Sequence, residues 1–228
     1  MTALLFLHGM NGTAKNWTNI PDLLAPEVTT SQAIDLPGHD NPMSILDVLG
    51  DGTYVSGLSM EDYISAVAAQ FPSGVHKDVV LVGHSMGGAV ISHVAAKYPD
   101  RIAKLIYVAA MLLDNTQSAA DVLDEIKSSG GINPIGFLGD FLPHISKLDV
   151  VRQPKEPMAA AFSRSSEFDE IPRAYVRCTK DDVIPLAIQN KMLAAYPGTE
   201  VVTLERSHFP QFQDPEEIAR SIRGLLVS

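Results

Sequence analysis

Cysteine occurs once in 228 residues, so no intrachain disulfide can form, which suits a reducing compartment. That cysteine, Cys178, ends the apolar run Ala174-Tyr175-Val176-Arg177-Cys178, where a buried strand thiol is expected rather than a reactive one. Positive charge is also scarce: 17 Lys and Arg stand against 27 Asp and Glu, a formal net charge of −10. Without a basic cluster to meet phosphates, nucleic acid and anionic membrane surfaces are excluded as partners. No uninterrupted apolar stretch reaches the ~18 residues of a membrane-crossing helix. The N-terminus runs straight into a short strand without a basic region or cleavage site, and the expected location is cytoplasmic. Repeats and low-complexity tracts are absent as well. What remains, with 46% hydrophobic and 19% charged residues, is the composition of a compact enzyme-sized unit.

The most informative segment is Val79-Val80-Leu81-Val82-Gly83-His84-Ser85-Met86-Gly87-Gly88-Ala89. An apolar strand runs into Gly-x-Ser-x-Gly, and helix-forming residues follow. A free serine is too weakly acidic to attack an ester at neutral pH, so its hydroxyl must be held on a sharp turn beside a base and oxyanion donors. Gly83 and Gly87 allow the turn, because a side chain at either position would meet neighbouring backbone.

Apolar or β-branched runs recur at 3–8, 29–34, 79–82, 105–109, 174–178 and 200–204, mostly separated by segments long enough for a helix. This alternation predicts a six-stranded, mainly parallel sheet with helices on both faces. Helices are expected at 16–24, 60–70, 85–97, 185–195 and 215–226, with Ser59 capping the second and Asp214-Pro215 opening the last. One interval, 111–171, breaks the alternation with an expected helix at 118–128, Gly130-Gly131 and three prolines between Pro143 and Pro157. It reads as a small helical cap, leaving 1–110 and 172–228 as the core.

A serine nucleophile needs a base and a group to orient that base, and in a strand–turn–helix setting they follow in the order Ser, acid, His. His208 is the expected base, since the strand at 200–204 leads into its loop. His144 falls in the cap segment, and His93 shares the helix that follows Ser85. The acid is sought just past a strand, where Asp181 and Asp182 both stand after Cys178. Asp181 is favoured as the first off the strand, with Asp114 a more distant candidate. The oxyanion donors expected are the backbone N–H groups of Met86, at the start of a helix, and of Met10, released by Gly9 at the exit of the first strand. His8 and His84 are expected to brace these loops.

Together Phe6-Leu7-His8-Gly9-Met10, Ala33-Ile34-Asp35-Leu36-Pro37-Gly38-His39, the Ser85 segment with Tyr98-Pro99-Asp100-Arg101-Ile102, Cys178-Thr179-Lys180-Asp181 and Ser207-His208 carry a resemblance spanning nearly the whole chain. The sequence resembles the α/β-hydrolase superfamily, and within it small esterases related to plant methyl esterases and hydroxynitrile lyases. The resemblance implies an α/β-hydrolase fold with a helical cap, no metal and no organic cofactor, and it aligns Asp181 with the acid. Similar members that cleave cyanohydrins use threonine at the position of Gly9 and lysine at the position of Phe209. Phe209 cannot stabilise departing cyanide, which points to hydrolysis.

The expected activity is therefore that of a serine carboxylesterase, acting on small to medium uncharged esters through an acyl-enzyme. A carbon–carbon lyase, or a small-molecule receptor with weak hydrolase activity, is the alternative. Gly9, Trp17, Met111, Phe137, Phe141 and Phe209 are the candidate substrate contacts. They belong to a wider apolar set with Leu112, Leu113, Leu138, Leu142 and Phe162, each of which would serve equally as cap core. A small ester is the expected partner, for a monomer or homodimer.

Overall fold

The computed structural model describes residues 3–43, 54–74, 76–129 and 150–227. Six strands form one sheet: β1 (Ala3–Leu7), β2 (Thr30–Ile34), β4 (Val79–His84), β5 (Ile102–Val108), β7 (Arg173–Cys178) and β8 (Glu200–Leu204). Their order is β2-β1-β4-β5-β7-β8, and every neighbouring pair is parallel. This is the α/β-hydrolase fold. Two further strands, β3 (Tyr54–Val55) and β6 (Gln153–Pro154), pair only with each other. At two residues each, they are too short to show a period in the sequence.

The apolar runs of β1, β4, β5 and β7 are near-continuous because both faces of these inner strands are buried, and alternate residues feed opposite cores. Leu5, Leu7, Val79, Leu81 and Tyr107 pack on one side, with Tyr63, Ile64 and Val67 of helix Met60–Ala68 and Val90 and Val94 of helix Gly87–Lys97. Leu4, Phe6, Val80, Val82 and Val108 pack on the other, with Trp17, Ile20 and Ile218, Ile222 and Leu225 of helix Pro215–Leu226.

Local capping fixes the helix ends. Ser59, Ser118 and Asp214 accept hydrogen bonds from the N–H groups of Asp62, Asp121 and Glu217. The single helix expected at 16–24 is instead a 3-10 turn, Ala14–Trp17, and a separate helix, Ile20–Leu24. Thr18 breaks it with φ 54°, and Pro21 opens the second piece. In the described part of 111–171, helices cover Ala119–Ser128, Lys155–Ala159 and Ser166–Asp169. Among the described residues no helix is long and apolar enough to cross a membrane.

From β1 the chain steps outward to β2 and then returns to β4 on the other side of β1. The C-terminal ends of β1 and β4 therefore flank the point where the winding reverses, where open parallel sheets form their ligand crevices. The loops holding Gly9 and Ser85 leave the sheet there.

Candidate active site

Ser85 leaves β4 in the left-handed region, with φ 53°, and helix Gly87–Lys97 begins two residues later. For a residue with a Cβ this conformation costs about 1–3 kcal/mol and needs support from its surroundings. Its own backbone supplies that support: the N–H donates to Val108 O (3.4 Å), and the carbonyl accepts from Gly88 (3.1 Å) and Met111 (2.9 Å). The glycines permit the close approach. A Cβ at Gly83 would lie 2.6 Å from the Gly87 carbonyl, and one at Gly87 would lie 2.5 Å from Leu7 O.

The three sequence candidates converge. Ser85 Oγ lies 3.0 Å from His208 Nε2, and His208 Nδ1 lies 2.9 Å from Asp181 Oδ2. All three residues are buried, with exposures of 8%, 2% and 6% for Ser85, His208 and Asp181. The second carboxylate oxygen of Asp181 accepts from the N–H groups of Val183 (2.8 Å) and Ile184 (2.7 Å). With Oδ2 taken by the imidazole, both oxygens have donors, which is how a buried carboxylate is tolerated. Asp182 is not the carboxylate against His208, and Asp114 pairs instead with Arg164, 3.2 Å away.

Gln189, which sequence reasoning missed, organises the Asp181 loop. Its fully buried amide accepts from Cys178 N–H and donates to the carbonyls of Cys178 (2.9 Å) and Ile184 (2.8 Å). Its one sequence signal is a polar residue on the buried face of an expected helix.

Both bracing histidines are neutral and fully enclosed. Burial pushes His8 down to about 4; its Nδ1–H donates to Gly9 O (2.9 Å), and its Nε2 accepts from Leu36 N–H (3.1 Å). Gly9 O also accepts from Gly12 N–H at 3.3 Å, and in a trans peptide the Met10 N–H points the opposite way from this anchored carbonyl. Among the described residues, neither the Met10 nor the Met86 N–H has a hydrogen-bond acceptor. Burial, and then the neighbouring His208, hold His84 well below the usual imidazole range. His84 Nε2–H donates to His208 O at 2.7 Å, tying the Ser85 turn to the His208 loop.

The expected substrate contacts separate. Gly9 adjoins the serine, and a Cβ there would lie 2.8 Å from Ser85 Cβ. Phe209 lies beside the site, its ring 5.0 Å from His208 and 5.6 Å from His84. Met111 is 4% exposed and touches the site through its backbone bond to Ser85. Trp17 is a correction: it is fully buried against Phe6 and meets His84 edge-on at 6.2 Å, so it is a buttress and not a pocket wall. An aromatic beside a loop carries no sequence mark that separates these roles. Phe137, Phe141, Leu138, Leu142 and His144 lie outside the described residues. His93 packs edge-on against Phe162.

Two surface depressions, of about 700 Å³ beside Asp35, His39 and Val151 and about 480 Å³ beside Leu112, Glu125 and Lys191, are not lined by Ser85 or His208. Among the described residues no cluster of His, Cys, Asp or Glu is placed to hold a metal ion.

Residues 4–221 match the alpha/beta hydrolase family. The chain belongs to that family. It is 28% identical to a pyrethroid hydrolase of Sphingobium wenxiniae over 97% of this chain and 86% of that one. It is also 27% identical to Methylesterase 2 of Arabidopsis thaliana, over 97% and 94% of the two chains. Among solved structures, a pyrethroid hydrolase from Sphingobium faniae superposes with a TM-score of 0.79 at 25% identity, covering 98% of this chain and 96% of that one. These relatives support hydrolysis of the carboxylesterase type for this α/β hydrolase, without specifying a substrate.

Proposed function

We propose that this α/β hydrolase is a serine carboxylesterase in which Ser85 is the nucleophile, His208 the general base and Asp181 the group that orients it. The observation that carries this reading is the continuous Ser85–His208–Asp181 chain, with links of 3.0 and 2.9 Å. As Ser85 Oγ bonds to the ester carbonyl carbon, its proton passes to His208 Nε2 and the carbonyl π pair moves onto oxygen. Asp181 accepts from Nδ1–H, keeping Nε2 free as the base and stabilising the imidazolium. The Met10 and Met86 N–H groups receive the oxyanion, aided by the positive end of helix Gly87–Lys97. Return of the proton to the alkoxide releases the alcohol. Water deprotonated by the same imidazole then cleaves the acyl-enzyme.

Residues 111–171 act as the cap in this reading, with Met111 and Phe209 at the substrate. Among the described residues no cationic cluster faces Ser85, which favours small to medium uncharged esters as substrates. Phe209 also leaves no cation for a cyanide leaving group, which favours hydrolysis over carbon–carbon cleavage. Ser85→Ala should lower kcat on p-nitrophenyl butyrate by about 10⁵–10⁶-fold with the fold intact. Wild-type turnover in that variant would refute the assignment.

A further inference from the structure

Four hydrogen bonds and one peptide link close a ring through the loop that carries Met10. Asn11 N–H donates to Gln153 Oε1 (3.3 Å), and Gln153 Nε2 donates to the Tyr63 hydroxyl oxygen (3.3 Å). The Tyr63 O–H donates to His39 Nε2 (2.8 Å), and His39 Nδ1–H donates to Gly12 O (2.9 Å). Gly12 follows Asn11 and completes the circuit. Donor and acceptor roles run one way around it: an amide oxygen that accepts from Asn11 leaves the amide nitrogen to donate to Tyr63. The phenol that accepts there gives its own proton to His39, whose remaining proton must sit on Nδ1.

Tyr63 and Gln153 are fully buried and His39 is 4% exposed, so water cannot substitute for a missing partner without reorganisation. A second tie reinforces the same loop. Asn11 Nδ2 donates to Val151 O (2.9 Å), and Val151 N–H donates to Asn11 O (3.1 Å), while Asn11 itself holds φ 56°. From Gly12 the constraint passes inward through its N–H to Gly9 O (3.3 Å), the carbonyl of the peptide whose N–H belongs to Met10.

We infer that Gln153 and Tyr63 are positioning residues for the oxyanion-binding loop, so that the aim of the Met10 N–H depends on the seating of residues 150–154. The inference rests on the serine-esterase reading and adds a control point 142 residues from Asn11 in sequence. Displacing Gln153 relaxes the oxyanion loop without touching Ser85, His208 or Asp181.

Gln153→Met preserves length while deleting the amide. On p-nitrophenyl butyrate it should lower kcat by about 10- to 100-fold, below the ~10²–10³ of an outright lost donor, and leave KM within about threefold. The same variant should weaken inhibition by a trifluoromethyl ketone in proportion to kcat. Ser85 Oγ adds to that ketone's carbonyl carbon as the serine proton passes directly to His208 Nε2, and the carbonyl π pair moves onto oxygen to give an anionic hemiketal in the oxyanion site. A natively folded Gln153→Met with kcat and ketone affinity within about threefold of wild type would overturn the inference. If that variant does not fold, Tyr63→Phe, which deletes the hydroxyl joining Gln153 Nε2 to His39 Nε2, reads the same two quantities. It should show a smaller, parallel loss of both, and unchanged values would likewise overturn the inference. Turnover surviving in Ser85→Ala would break the esterase reading itself, whereas an inactive Ser85→Ala beside an unaffected Gln153→Met breaks only the positioning role.

Discussion

Acid should destabilise this protein well before its carboxylates protonate, because the loop around Gly9 is braced by imidazoles that have no room for a second proton. His8 is pushed down to about 4 by burial, and His39 to about 3 by burial and then by neighbouring His8, against the opposing pull of Gly12 O, Asp35 and Asp40. In His8 the Nε2 lone pair already receives the Leu36 N–H, so a proton there would set two donors head to head. Unfolded, the same rings titrate near ~6.5, so as pH falls the unfolded chain takes up protons first and stability declines. The contribution is complete above the unfolded value and is lost as pH falls toward the folded ones. From about pH 7.5 to about pH 5 each ring costs about 2 kcal/mol, or about 4 kcal/mol for His8 and His39 together. His84, also depressed by burial, acts in the same direction. Against a total of ~5–15 kcal/mol, that loss removes roughly a quarter to four-fifths of the stability. Urea unfolding followed by the fluorescence of the single buried Trp17, repeated across this pH range, gives the slope directly. His39→Gln should reduce the slope by about one proton, or ~1.4 kcal/mol per pH unit. A stability at about pH 5 within ~1 kcal/mol of that at about pH 7.5 would refute the reasoning.

Two substitutions probe the site itself. Asp181→Asn keeps the shape but presents an amide to His208 Nδ1, and kcat on p-nitrophenyl butyrate should fall about 10⁴-fold with thermal stability nearly unchanged. A fall below tenfold would remove Asp181 from the relay. Gly9→Ala places a Cβ 2.8 Å from Ser85 Cβ, so the oxyanion loop must retreat from the serine. The expected result is a ~10²–10³-fold lower kcat in a folded protein, and a wild-type kcat would show that the loop yields without consequence.

The elements legible in the sequence are those whose forces are local. Helix Pro215–Leu226 begins and ends where Asp214-Pro215 and the apolar spacing place it, because its cap and its buried face lie within the segment itself. The four inner strands of the sheet are readable as apolar runs because both of their faces are covered, and the partly exposed edge strands β2 and β8 are readable from their β-branched residues. Ser85, Asp181 and His208 were traceable through strand ends and order, since each is tied to a strand or a Gly-rich turn. Gln153, Tyr63 and Gln189 were not, because they act through partners distant in sequence and leave no period behind. Trp17 failed for a related reason: apolarity marks burial, but which surface buries it is a tertiary fact.

The strand order also makes His208 a demanding residue to place. It follows β8, three positions from β4 in the sheet, a lateral distance of about 14 Å at the usual strand spacing. A loop leaving β8 straight would miss the serine, so the 205–209 segment must fold back across the ends of β7 and β5. The necessary anchors are present at each step. Lys180 N–H donates to Arg206 O (3.0 Å), Ser207 N–H donates to Gln213 Oε1 (3.1 Å), and Arg206 pairs with Asp214 and Glu217 (3.1 and 2.6 Å). The last anchor is His84, which grips His208 O from beside the nucleophile. Because it is bound on both sides, the imidazole is held without a strand beneath it. The residue preceding the serine is therefore as much a part of the site's geometry as the serine's own turn.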